Sequence, residues 1–253
     1  MQSSFIKQLI YGIFYLAIIF FVGYLFYLAI LPEPTCFDGR KNQGEKQVDC
    51  GGPCESCEIR VLEPIEVVKT SVLKASDKQS SVLTEFRNPN IAFGANSFSY
   101  RLDFYGAGDV LIESFKKGSF IYPGRIKFIA DAGINIAKEN IRRVEVTIGN
   151  VSWKSISEFS APNTQVRDIE INKQNDTRLI VSGVVNNNTS FRLSRVVITV
   201  LVSDLFNLPV SVSKTLLENV GAFKEENFSV IIPNETMADV ARDSVRVFVE
   251  AER

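Results

Sequence analysis

The chain has 253 residues, 45% of them hydrophobic and 23% charged, with a formal net charge of −1. Acids and bases interleave, so no basic surface for nucleic acid is expected. There is no histidine, which removes Ser-His-Asp and Cys-His nucleophile arrangements and His-ligated metal sites. No phosphate-cradling glycine loop and no Gly-x-Ser-x-Gly elbow occurs either. The expectation is a non-enzymatic protein with no catalytic residues and no organic cofactor.

Residues 9–31 form an uncharged apolar run. As a helix rising about 1.5 Å per residue they span roughly 35 Å, enough to cross a bilayer's hydrocarbon core. Tyr11, Tyr24 and Tyr27 lie near its ends, where amphipathic rings favour the membrane interface. A cleaved signal peptide has a shorter apolar core and a small-residue cleavage site. Here Leu31-Pro32-Glu33-Pro34 follows, so the expectation is an uncleaved signal-anchor in the lipid bilayer. Residues 1–8 would then be cytoplasmic. Lys7 on one flank and Arg40, Lys41 and Lys46 on the other nearly balance the positive-inside rule. The compartment of the cysteines has to decide the orientation.

Residues 32–57 hold all four cysteines, Cys36, Cys50, Cys54 and Cys57. An even, clustered count reads as two disulfides stapling a segment too small for its own core, with three connectivities open. The competing reading is a zinc site of four thiolates, because Cys54-x-x-Cys57 has knuckle spacing. Gly51-Gly52-Pro53 reads as a tight turn. Asp38, Asn42, Glu45 and Asp49 interleave with the cysteines. They supply hard oxygens for Ca²⁺, or they cap the loop's own backbone as Asx-turns. The string Asp38-Gly-x-x-Asn42-x-Gly-Glu45-x-x-Val-Asp49-Cys50-Gly-Gly-Pro-Cys54-x-x-Cys57 resembles a short cysteine motif of prokaryotic surface proteins. That resemblance implies an exported, membrane-tethered protein and no catalytic activity.

From Glu58 the texture changes to short alternations bounded by turn residues. Phe98, Tyr100, Leu102 and Phe104 alternate with polar neighbours; Val196, Ile198, Val200 and Val202, then Phe228, Val230 and Ile232, then Val245, Val247 and Val249 repeat the period. Period two sends one set of side chains to the buried face of an antiparallel sheet. The halves also match each other. Val82–Asn88 aligns with Ile180–Asn186, Arg101–Leu111 with Thr199–Pro209, and Phe128 with Phe228. Ile136-Ala137 aligns with Met237-Ala238, and Val144, Val146 and Ile148 with Val245, Val247 and Val249, the offset drifting only from 98 to 101 residues. The expected fold is an all-β tandem sandwich of two Ig-like domains, residues 58–150 and 151–253, each with seven or so strands. It follows one transmembrane helix and the small disulfide-rich segment. Single helical turns are expected at 135–140 and 236–241, and hairpin turns at 106–109 and 204–207. The second unit's first strand is expected near Val166. Trp153 is placed at the junction of the units, its rival role being a stacking platform for sugar. The strand pattern, with Phe228-Ser-Val-Ile-Ile-Pro233 late in the second unit, resembles the FxLYD and LEA-type β-sandwiches, which implies the fold rather than an activity.

Asn-x-Ser/Thr acceptors occur at Asn150, Asn175, Asn187, Asn188, Asn227 and Asn234, more than the roughly two expected by chance. They read either as glycosylated loops or as turn-forming residues. The combined expectation is an extracytoplasmic module of the cell envelope that meets other envelope proteins or glycans. A calcium- or glycan-dependent adhesin is the alternative, and a carboxylate-dependent hydrolase of envelope polymers is a third.

Overall fold

The computed structural model describes residues 2–30, 33–173, 178–233 and 244–253. The chain divides into two compact units, Met1–Leu62 and Glu63–Arg253.

The first unit holds α1 (Gln2–Ile30) and the cysteine loop. Its window Ile6–Leu28 has a mean hydropathy of 2.3. The side chains of that window are all exposed. In water, a helix apolar on every side needs protein cover, and none of the described residues covers this window. Its 29 residues run about 44 Å, so α1 is long and apolar enough to span a membrane.

The second unit is built on antiparallel sheets. Its first half holds β1 (Glu66–Lys74), β2 (Ser80–Arg87), β3 (Phe93–Tyr105), β4 (Leu111–Ile121), β5 (Ile126–Ile134) and β6 (Arg143–Ser155). These form two sheets of order β1-β2-β5 and β4-β3-β6. The second half holds β7 (Thr164–Lys173), β8 (Arg178–Asn187), β9 (Leu193–Ser203), β10 (Pro209–Val220), β11 (Glu225–Pro233) and β12 (Val245–Glu252). Their orders are β11-β8-β7 and β10-β9-β12, the same diagram as in the first half. Each sandwich thus has six strands among the described residues, not seven or so.

Period-two alternation builds both cores. In β3, Phe98, Tyr100, Leu102 and Phe104 point inward with Val82, Phe86, Ile129 and Ile134. In β9, Val196, Ile198, Val200 and Val202 point inward with Leu179, Val181, Val185 and Phe228. The first core is ring-rich, Phe86 lying edge-on to Phe98 at 5.4 Å; the second is aliphatic around Phe228. β6 extends to Ser155, and Val151 and Trp153 pack on the first core. The first sandwich therefore ends beyond the expected residue 150, and Trp153 belongs to it rather than to the junction. At the other end Glu58 lies in a 3-10 turn, Cys57–Val61, outside this unit. The first core residue is Ile65. β7 begins at Thr164, close to the expected Val166.

The pairing diagrams also correct two of the matched positions. Phe86 faces Lys127 across β2 and β5, and Val185 faces Glu226 across β8 and β11. On that register Asn88 matches Asn187, not Asn186, and Ile129 matches Phe228. Phe128 turns to the opposite face, because a one-residue slip in a strand flips every side chain. The matches of β3 with β9 and of β6 with β12 follow the pairing, since Phe104↔Val144 corresponds to Val202↔Val245. Residues 204–208 and 106–110 close the expected hairpins. A 3-10 turn occupies Lys138–Asn140. The turn expected at 236–241 lies outside the described residues.

The sandwiches stack by sheet faces. Leu73, Leu83 and Ala130 on the outer face of β1-β2-β5 form one buried cluster with Leu201 and Val212 on the outer face of β10-β9-β12. Phe128 and Phe248 stack across it at 4.3 Å between ring centroids. β10 touches all three strands of the facing sheet. The order of layers is therefore β4-β3-β6, β1-β2-β5, β10-β9-β12, β11-β8-β7.

Candidate functional site

In the cysteine loop, Cys36 bonds Cys54 and Cys50 bonds Cys57, and no cysteine is free. This pairing settles the open connectivity and leaves no thiolate for zinc. Gly51 and Gly52 have φ of 77° and 65°, and a Cβ on Gly52 would lie 2.5 Å from the Gly44 carbonyl oxygen. Only glycine fits that crossing of two backbone runs.

The four oxygen-bearing residues of the loop hold its backbone. The Asp38 carboxylate accepts from the N–H of Arg40 and of Thr35 and from the Asn42 amide. These bonds, that of Asn42 first, hold its carboxyl below the usual range. Asp49 accepts from the Gly39 N–H with both oxygens. Glu45 is 5% exposed, and its Oε2 accepts from the N–H of Asp49 and of Asn42. One oxygen, Asn42 Oδ1, is enclosed without a partner. The potential metal-binding group among the described residues is Cys36, Glu45 and Cys54, and two of those three are joined in a disulfide. The motif residues thus act together as a scaffold for a loop with no hydrophobic core. Of the expected set of Asp38, Asn42, Glu45 and Asp49, Glu45 belongs to that potential metal-binding group.

The acceptor asparagines divide by exposure. Asn150 and Asn227 are exposed on β6 and β11, and Asn188 is half-buried. Asn175 and Asn234 lie outside the described residues. Asn187 is fully buried. Its amide donates to the carbonyls of Phe191, Val220 and Gly221, and its Oδ1 accepts from the N–H and hydroxyl of Thr189. The glycan expectation is corrected there, because the nitrogen that would carry the sugar is committed to the fold.

The charged half of the junction between the sandwiches carried no expectation from sequence. Lys127 Nζ meets Glu250 Oε2 at 2.5 Å, and its side chain is 6% exposed. The same ammonium lies 3.5 Å above the Phe120 ring. Burial pulls the Lys127 ammonium down from its ordinary value and pushes the Glu250 carboxyl up, each shift opposed by the partner's charge. Lys117 Nζ meets buried Asp131 at 2.6 Å, and the Tyr100 hydroxyl donates to the same carboxylate. Burial, reinforced by Asp131, raises the Tyr100 phenol. Lys214 Nζ donates to the Ala130 carbonyl and the Tyr122 hydroxyl to the Ala251 carbonyl. Around these groups runs a cleft of about 370 Å³, with Arg195 and Glu252 on its wall. The Lys127–Glu250 pair and the bonds of Lys214 and Tyr122 join the two sandwiches, whereas Lys117, Tyr100 and Asp131 tie β4 and β3 to β5 within the first. A sequence signal for the junction did exist. Val196-Val-Ile-Thr-Val-Leu-Val202 is almost continuously apolar, as a strand buried on both faces must be.

No protein-family model matches the chain, and no curated protein matches it. Among solved structures, a transglutaminase of red sea bream is similar over 74% of this chain and 32% of its own, at 10% identity and a TM-score of 0.21. This chain therefore spans about a third of that protein's length. A score that low carries no argument about fold or activity.

Proposed function

We propose that the protein is a single-pass, N-in/C-out membrane protein that presents two docked β-sandwiches outside the cytoplasm, as a structural or protein-interaction module of the cell envelope. The observation that carries this reading is the joint presence, in one unit, of an uncovered apolar helix and a loop closed by two disulfides. Disulfides persist in oxidising compartments, so the loop and everything after it belong on the exported side. The two sandwiches, with one pairing diagram, read as copies of one unit. Their ends and edges offer the recognition surfaces such folds commonly use, and the absence of histidine favours binding over catalysis.

The test is protease shaving of intact cells followed by non-reducing peptide mapping. The reading expects peptides from residues 63–253 to be released and both cystine-linked peptides to be recovered. Full protection of those residues, or free thiols in the cysteine loop, would overturn it.

A further inference from the structure

The hairpin tip between β9 and β10 is apolar and uncovered. Leu205 and Phe206 are 88% and 82% exposed, and Leu208 follows at 53%. Its backbone is closed upon itself. The Asp204 N–H donates to the Leu208 carbonyl, and the Asn207 N–H donates to the Asp204 carbonyl. Asp204 Oδ1 accepts from the N–H of Phe206 and of Leu208. The one acid of the turn therefore faces inward, and the N–H groups of three successive residues are satisfied without water. The matching tip of the first sandwich has Ala107 and Gly108 at its apex, Val110, Leu111 and Ile112 exposed behind them, and Asp109 reaching sideways to Arg143.

A tip in water gains nothing by presenting Leu and Phe while satisfying its own donors. A tip entering a bilayer interface needs both features, since apolar area drives insertion and each unsatisfied backbone group opposes it. We infer that Leu205, Phe206 and Leu208 form a lipid-contacting finger that dips into the interfacial layer of a membrane. One further observation favours lipid over other occupants. The same chain carries a helix long and apolar enough to cross a membrane, and on the anchored reading the sandwiches are tethered to a bilayer, so weak insertion suffices at the high effective concentration. The inference rests on the anchored reading above.

The test uses the full chain in proteoliposomes of phosphatidylethanolamine and phosphatidylglycerol. Trp153, the single tryptophan, is replaced by Phe, and Phe206→Trp places a reporter at the tip. The site is solvent-exposed, so the fold is expected to persist, checked by circular dichroism. The expected result is blue-shifted emission that acyl-brominated lipid quenches strongly, with Leu205→Asp in the same background restoring water-like, unquenched emission. Water-like emission with the chain retained after carbonate extraction overturns the finger and leaves the anchor standing. Loss of the chain on extraction overturns the anchor instead, and the finger with it. Emission that is shielded but insensitive to brominated lipid assigns the tip to a protein contact and also overturns the inference.

Discussion

Asn88 and Asn187 hold equivalent positions in the two sandwiches. Each backbone N–H donates across to the turn before the next inner strand, to Arg125 and to Lys224. Each amide donates to carbonyls of its own turn and of the strand end opposite, Phe93 and Tyr122 in one case, Phe191 and Val220 in the other. Each Oδ1 receives the N–H two residues on. Truncating either asparagine strands several buried carbonyls at once. Asn88→Ala and Asn187→Ala are each expected to cost about 2–3 kcal/mol in chemical denaturation. In a glycosylating host, peptide mapping should find Asn187 bare even where exposed Asn150 or Asn227 is modified.

The ion pair of Lys127 and Glu250 should be worth more as a pair than as parts. Lys127→Met leaves a buried carboxylate without its counter-charge, at a cost of about 3–5 kcal/mol near pH 7, whereas Lys127→Met with Glu250→Leu stays within about 1 kcal/mol of the parent. The pH dependence of the single variant follows from the direction of the Glu250 shift. A carboxyl raised in the folded state adds stability that is full below its unfolded value of 4.5 and is lost as pH rises through the folded value. Removing the lysine raises Glu250 further. The Lys127→Met melting temperature should therefore lie nearest the double variant's below pH 4.5 and fall away from it toward neutrality.

The stacking of the sandwiches can be tested apart from either core, because Leu201 belongs to the junction cluster and to neither interior. Leu201→Ala should cost about 2–4 kcal/mol. Leu201→Glu buries a charge against Leu83 and Ala130 and should separate the sandwiches. Calorimetry would then resolve two transitions, and small-angle scattering a larger radius of gyration. An unchanged scattering curve would show the layers joined some other way.

For the cysteine loop, the carboxylates already hold backbone N–H groups. Chelator should therefore leave the melting of the full chain in detergent unchanged, whereas a calcium-dependent rise would make Asp38, Asn42, Glu45 and Asp49 ligands after all. Reductant should open the loop to proteolysis and leave the transition of residues 63–253 in place, because the two units are separately compact.

Much of the fold was legible because its causes are local. A run of uncharged residues demands an apolar surrounding whatever the rest of the chain does. Alternation in β3 and β9 names an inner face, and Gly51-Gly52 names a turn only glycine can make. The two halves match in pattern more than in residue type, because equivalent positions are filled differently. Phe86, Tyr100 and Phe104 stand where Val185, Ile198 and Val202 do. Thr84 beside Ile129 becomes Gly183 beside Phe228, where the missing Cβ makes room for the ring. A one-residue error at Phe128 was the natural outcome of matching phenylalanine to phenylalanine. The strand register, not the residue type, decides which side chain is inside.

The sequence by itself thus determined the long apolar helix, the clustering of cysteines and the antiparallel strands, since each depends on neighbours a few positions away. Only the tertiary structure decided which cysteines pair, which asparagine is buried, and that the sandwiches lie face to face through Leu201, Phe248, Lys127 and Glu250. Those contacts join residues far apart in the chain; the unbroken apolar run of β9 marks a strand covered on both faces, but nothing local records which surface covers it.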